Sequence, residues 1–161
     1  MLARTEGEAL AIGVREVWRG KRGYLEFCRL RDDVVLVALR GHLDGEAASY
    51  LVARLPELLD RSGTTVFWDG GELISHGARV PAQIVPALAR LRRNIDEFHV
   101  LVRSPLLTMT ASAANLALGG ELSVYRERER FDEAIIREAI QPAWSRARYD
   151  SRPTLDSMAV A

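Results

Sequence analysis

The chain has 161 residues, of which 48% are apolar and 27% are charged. This length suits one domain, and the composition is ordinary for a soluble globular protein. Basic and acidic residues balance at 22 each, which excludes a general electrostatic attraction to nucleic acid or to an anionic membrane. We therefore expect no nucleic-acid partner and no membrane contact.

The N-terminal sequence MLARTEGEALAIGV carries acidic residues early and has no long apolar core, so it does not predict a secretion signal. No apolar run approaches the roughly 20 residues that a membrane-spanning helix needs. The single cysteine, Cys28, excludes an internal disulfide, and three scattered histidines do not predict a metal site. We expect a cytoplasmic protein with no metal and no cofactor.

Residues 1–22 are mixed in character and are predicted to form an N-terminal arm. The stretch YLEFCRL (24–30) then alternates apolar and polar residues, as a half-buried strand does. VVLVALRG (34–41) is rich in β-branched and aliphatic residues, and a polar turn separates the two stretches. These features predict a β-hairpin at the start of the domain proper.

The first helix is predicted to begin after Asp44, a favourable N-cap, and to continue through leucines at helical spacing to Gly63. Pro56 interrupts this pattern, so we expect a kink or a break after Arg54. TTVFWD (64–69) is typical of a short buried strand. A second helix is predicted over residues 77–94.

The remaining elements continue the alternation of strands and helices. FHVLVRS (98–104) predicts a strand, and the Ser104-Pro105 pair predicts the start of a helix that two glycines end. ELSVYRE (121–127) predicts a short edge strand, and ERFDEAIIREAIQPAW (129–144) an amphipathic helix. The domain is predicted to span residues 23–145, with a flexible tail over 146–161.

A β-hairpin followed by alternating β-α units predicts an α/β fold. We expect a mixed sheet of about five strands, packed with about four helices and joined by right-handed crossovers.

This order of elements resembles that of the STAS family, which includes anti-sigma-factor antagonists and the tails of sulfate transporters. VVLVALRGHLDGEAA (34–48) resembles the family's strand, Gly-x-Leu-Asp loop and helix. TTVFWD resembles its central strand, and residues 98–135 resemble its closing elements. The resemblance covers roughly residues 24–140, most of the chain.

The resemblance implies a regulatory protein-interaction module that binds a switch partner, such as an anti-sigma factor or a switch kinase. The alternative is a small-molecule or lipid-binding domain of the same fold, whose relatives use a cavity between sheet and helices. The small residues of the helix over 105–118 argue against a large cavity. An apolar void near Met109 and Phe98 would favour this alternative.

The resemblance also implies a regulatory hydroxyl at the start of the helix after the central strand, where the family's Ser or Thr follows an Asp and accepts phosphate from a partner kinase. Here the connection DGGELISHG (69–77) is shorter, and no Asp precedes Ser75. We interpret Ser75 as the N-cap of the second helix. Phosphorylation of Ser75, or its contact with a ligand or partner, are the alternatives.

We expect the partner- or ligand-binding surface at the carboxyl ends of the strands, where open α/β sheets usually bind. Its predicted residues are His42, Asp44, Ser75, His76 and Gly77. His42 and His76 either approach each other there or stay two separate exposed side chains.

Catalysis at Ser75 would need a histidine or a carboxylate within hydrogen-bond reach, in a concave site. The sequence contains neither a hydrolase elbow nor a nucleotide-binding loop, so we expect that the protein is not an enzyme. A homodimer could form through an exposed edge strand or through the C-terminal helix with Trp144.

Overall fold

The structure, a computed structural model, describes residues 8–12 and 15–140, without the side chains of 8–12, 106 and 140. Within these residues the chain forms one mixed sheet of seven strands that lie in chain order from one edge to the other. The strands are β1 (Glu8–Ile12), β2 (Arg15–Arg19), β3 (Gly23–Arg31), β4 (Val34–Leu43), β5 (Thr64–His76), β6 (Ile95–Val102) and β7 (Leu122–Tyr125). The helices are α1 (Gly45–Leu58), α2 (Val80–Arg90), α3 (Pro105–Ala117) and α4 (Arg128–Ile140), with a short 3-10 helix at Arg92–Asn94.

The sheet changes character at β4. Strands β1 to β4 pair with their neighbours antiparallel, whereas β4 to β7 pair parallel. The five predicted strands are β3 to β7, so the prediction of an α/β fold with a mixed sheet and four helices is confirmed. The two additional strands, β1 and β2, lie in the segment that was predicted to be an N-terminal arm.

The segment before the hairpin is joined to the domain by buried contacts. Trp18 of β2 is 1% exposed and stacks on Tyr50 of α1, with ring centroids 5.6 Å apart. Glu16 of β2 accepts hydrogen bonds from the Tyr50 hydroxyl and, at 2.6 Å, from the Arg54 guanidinium. The sheet is therefore continuous across residue 22, while the tail over 146–161 and Trp144 lie outside the described residues.

The helices cover the two faces of the sheet unequally. Helices α1, α2 and α3 bury one face, in a core that includes Leu51, Trp68, Ile84 and Leu107. Helix α4 covers part of the opposite face, where Phe131 meets Phe67 edge to face at 5.7 Å. None of the described helices has the length and apolarity that crossing a membrane requires.

Local capping signals are confirmed, and the break that was one of the two alternatives predicted at Pro56 does not occur. The side chain of Asp44 accepts a hydrogen bond from the Ala47 N–H at 2.9 Å and so caps α1. Ser104 caps α3 in the same way through the Leu107 N–H. Helix α1 does not break after Arg54 but continues through Pro56 to Leu58. Pro56 lies in the last turn, and the buried side chains of Leu55 and Leu58 hold that turn against the core.

We predict that Trp18→Ala lowers the free energy of unfolding by about 3–5 kcal/mol, because the change removes a fully buried indole. Urea denaturation measures this difference, and Arg19→Ala, at an exposed position of the same strand, is the matched control. A loss below about 1 kcal/mol would show that β2 is not part of the cooperative unit.

We also predict a specific alkaline dependence of stability. Burial, together with the hydrogen bond to Glu16, raises the pKa of Tyr50 to about 12. In the unfolded chain a tyrosine has a pKa of about 10, so between these values the unfolded state releases its proton first and stability falls as pH rises. Denaturation between about pH 10 and 12 should show a smaller decline for Tyr50→Phe than for the wild type. Equal declines would contradict this assignment.

Candidate functional site

Strand β5 is much longer than the sequence predicts, and this extension forms the candidate site. β5 has thirteen residues and ends at His76, whereas β4 beside it has ten. The pairing register shifts between Ala38 and Arg40 and again between Gly41 and His42. At each shift β5 carries one residue more than β4, which is the arrangement of a β-bulge.

The interpretation of Ser75 as a helix N-cap is therefore wrong. Ser75 pairs with His42 and His76 pairs with Leu43, so both belong to the sheet. Helix α2 begins only at Val80, and its N-cap residue, Arg79, makes no side-chain capping bond. The chain stays extended because partners on β4 remain available up to Leu43.

The side chains of Ser75 and His42 form a hydrogen bond of 2.7 Å between Oγ and Nδ1. Both residues are half-buried. On the same face of the sheet, Arg40 pairs with Glu72, the Nε to Oε2 distance being 3.0 Å. Arg40 and His42 are two residues apart on β4 and so share a face. Glu72 and Ser75 share that face although they are three residues apart.

The bulge at Ile74 explains this shared face. Ile74 is skipped in the register, between Leu73 opposite Gly41 and Ser75 opposite His42. Its side chain is 77% exposed, which is unusual for an isoleucine in a sheet. The bulge thus places an apolar side chain on the surface directly beside the Ser75–His42 pair.

His76 faces the opposite side of the sheet. There, an apolar cavity of about 110 Å³ lies between the sheet, α2 and α3. Its walls include Trp68, Phe98, Ile84 and Ala111, and its polar side chains are those of His76 and Thr110. Met109 does not line it and is 71% exposed. At about 110 Å³ this space is small, so the argument from the small residues of α3 against a large cavity is not contradicted.

The structure separates some predicted site residues and unites others. His42 and Ser75 meet, but His42 and His76 point to opposite faces of the sheet, so they do not approach each other. Asp44 is occupied as the cap of α1. Gly77 closes the end of the sheet, since its N–H donates to the Leu43 carbonyl at 2.8 Å.

The Ser75–His42 pair fulfils one of the two conditions set for catalysis and not the other. A histidine does lie within hydrogen-bond reach of the Ser75 hydroxyl. However, neither residue lines the cavity, which lies on the other face of the sheet. Among the described residues, no group of three or more His, Cys, Asp and Glu side chains is arranged to hold a metal ion.

An ion pair missed by the sequence analysis supports this end of β5. Asp69 accepts hydrogen bonds from both terminal nitrogens of Arg128 at 2.6 and 2.9 Å, and from the Gly71 N–H at 3.0 Å. The hydrogen bond to Asp69 raises the pKa of the Arg128 guanidinium. A Cβ at Gly71 would lie 2.4 Å from a terminal nitrogen of Arg128, so a larger residue at this bulge would have to displace the paired guanidinium. The Asp-Gly-Gly sequence at 69–71 is the feature from which this bulge could have been predicted.

Comparison with known proteins identifies the fold. An uncharacterised protein of the DUF3478 family from Shewanella loihica PV-4, described as having a SpoIIAA-like fold, superimposes with a TM-score of 0.54 at 12% identity, over 78% of this chain and 98% of that one. The fold is SpoIIAA-like. Neither the family models nor the curated protein sequences give a match to this chain.

SpoIIAA itself is similar in two states. The Bacillus cell fate determinant SpoIIAA in its phosphorylated form gives a TM-score of 0.51 at 17% identity, covering 68% of this chain and 98% of that one. The anti-sigma factor antagonist SpoIIAA in its unphosphorylated form gives the same score and identity, covering 68% and 95%. The SpoIIAA-like fold confirms the predicted STAS-like fold.

We predict that Asp69→Asn lowers the free energy of unfolding by about 1–3 kcal/mol, because it removes a charge-assisted, bidentate pair. Urea denaturation measures the loss. Arg130→Gln is the control, since Arg130 of α4 and its partner Glu127, just before the helix, are 75% and 70% exposed and their pair should contribute little. Equal effects of the two substitutions would contradict the role of Asp69.

Proposed function

We propose that this protein is a regulatory protein-interaction module without enzymatic activity, and that its partner docks on the surface formed by Ile74, Ser75, His42 and Arg40. The partner would be a regulatory protein of the anti-sigma-factor or switch-kinase kind. The observation that carries the proposal is the bulge that exposes Ile74 beside a hydrogen-bonded serine. The SpoIIAA-like fold supports it, since one similar structure is that of an anti-sigma factor antagonist.

The composition of this surface suits protein recognition. An exposed apolar side chain is a suitable centre for an interface, because burying it on docking contributes binding free energy. Arg22 adds an exposed positive charge beside it, and the Arg22 carbonyl accepts from the His42 N–H at 3.0 Å. The positive charge of Arg40 is paired with Glu72 on the same face. A partner that presents an apolar residue with neighbouring acidic groups would complement this surface.

Ser75 is the candidate switch on this surface. A phosphate on its hydroxyl would replace the bond to His42 with a dianionic group beside Ile74. Such a charge opposes the docking of an acidic or apolar partner, so phosphorylation would release the partner. The similarity to SpoIIAA, which has a phosphorylated form, supports this role.

Peptide mapping of the protein from its native cells tests the switch. We expect Ser75 to carry phosphate in a fraction of the molecules, and that fraction to change with growth conditions. Its absence under every condition would remove phosphorylation from the proposal and leave a constitutive binding surface.

Two matched pairs of variants test the surface. We expect Ile74→Ser and Ser75→Asp to weaken capture of the native partner at least about tenfold, the equivalent of about 1.4 kcal/mol. Leu116→Ser, at a position 82% exposed on α3, and Ser112→Asp, also exposed on α3, should leave capture unchanged. Unchanged capture by all four variants, with unchanged urea midpoints, would place the docking surface elsewhere.

A second candidate function, the binding of a small molecule or lipid, is favoured by the cavity. Its position between sheet and helices is the one expected for that function, and Phe98 lies in its wall. The cavity and the docking surface lie on opposite faces of the sheet, so both functions could exist in one molecule.

A further inference from the structure

The cavity has a chemistry that limits its ligand. Its walls are formed by apolar side chains of the sheet, α2 and α3, and His76 is the one titratable group among the described residues that line it. An ionised phosphate or a nucleotide would lose its hydration there without a compensating charge or a set of donors. An apolar molecule would lose nothing by the same transfer. The cavity thus favours a ligand that is mostly hydrocarbon.

The hydrogen bonds of His76 define the polar end of the cavity. Nδ1 lies 2.9 Å from the Gly77 carbonyl oxygen, and since a carbonyl only accepts, Nδ1 carries the hydrogen. In the neutral ring Nε2 is then an acceptor. The Thr110 Oγ1 lies 3.2 Å from Nε2, a long distance for a hydrogen bond between these atoms. A ligand O–H or N–H could therefore compete with Thr110 for Nε2.

The volume limits the size of the buried part. A dry, apolar protein cavity of about 150 Å³ holds a benzene molecule. At about 110 Å³ this cavity is of similar size, and it is partly open to solvent. It therefore suits a single ring or a short branched chain, with any longer part of the ligand extending outwards.

We propose that the cavity binds a small, uncharged apolar molecule that carries one hydrogen-bond donor, and that His76 Nε2 accepts from this donor. The proposal rests on the second candidate function and adds the chemical class of the ligand and the residue that selects it. The role of His76 is specificity, because the apolar walls alone do not distinguish a donor from a methyl group.

Phenol and toluene are suitable probes, since they have nearly the same shape and differ by a hydroxyl in place of a methyl group. Titrations followed by calorimetry and by amide NMR shifts measure both affinities. We expect phenol to bind the wild type at least as tightly as toluene. In His76→Phe the phenol hydroxyl would lose the imidazole acceptor, and the phenol-to-toluene affinity ratio should fall about tenfold or more.

Two alanines of α3 give a matched pair that locates the binding. Ala111 lines the cavity, whereas Ala113 is exposed on the same helix. We expect Ala111→Leu to fill the cavity and abolish binding of both probes, and Ala113→Leu to leave both affinities unchanged. Binding that survives Ala111→Leu would overturn the proposal, because the probes would then occupy another place.

The possible failures are distinguishable. If neither probe shifts the resonances of the cavity residues at millimolar concentration, both the second candidate function and the present proposal are overturned. If toluene binds in the cavity but the phenol-to-toluene ratio is the same in the wild type and in His76→Phe, small-molecule binding stands and the assignment to His76 is overturned.

Discussion

The parallel pairing of β4 with β5 is the constraint on which the rest of this structure depends. β4 is the last strand of the antiparallel part of the sheet and the first of the parallel part. It is buried from both sides, since Val34 packs towards α4 while Val35 and Val37 pack towards α1. β5 pairs with β4 as far as Leu43, the last residue of β4, and contains two additional residues that form bulges. The residues of the proposed docking surface, Arg40, His42, Ile74 and Ser75, lie at or beyond the first bulge.

The bulges also account for the separation of the two candidate sites. In a regular strand, side chains alternate strictly, and Glu72 and Ser75 would face opposite sides. Because Ile74 is an additional residue in β5, Ser75 lies on the same face as Glu72, and there the Ser75 hydroxyl forms its hydrogen bond with His42. The next residue, His76, then faces the cavity. The adjacent residues Ser75 and His76 therefore face opposite sides, and the sheet separates the proposed docking surface from the cavity.

The elements that sequence analysis predicted well are those with local causes. The β3–β4 hairpin follows from alternation, and the starts of α1 and α3 follow from Asp44 and Ser104, whose capping bonds reach only three residues along the chain. β2 could not be predicted in the same way, because Trp18 is stabilised by Tyr50 of a helix that forms later in the chain. The extension of β5 depends likewise on β4. Thus His42 and Ser75 were predicted as site residues, but their hydrogen bond was not.

The size of the cavity depends on both of the surfaces that form it. Small side chains on a helix allow close approach only where no larger side chain keeps the helix away. On the facing sheet, the rings of Trp68 and Phe98 lie tilted to each other with centroids 5.8 Å apart, and Ile84 of α2 lines the same space. These bulky groups and the small side chains of Ala111 and Ala114 line the cavity together. The spacing between α3 and the sheet depends on the side chains of both elements, whereas the sequence of the helix gives only its own side chains.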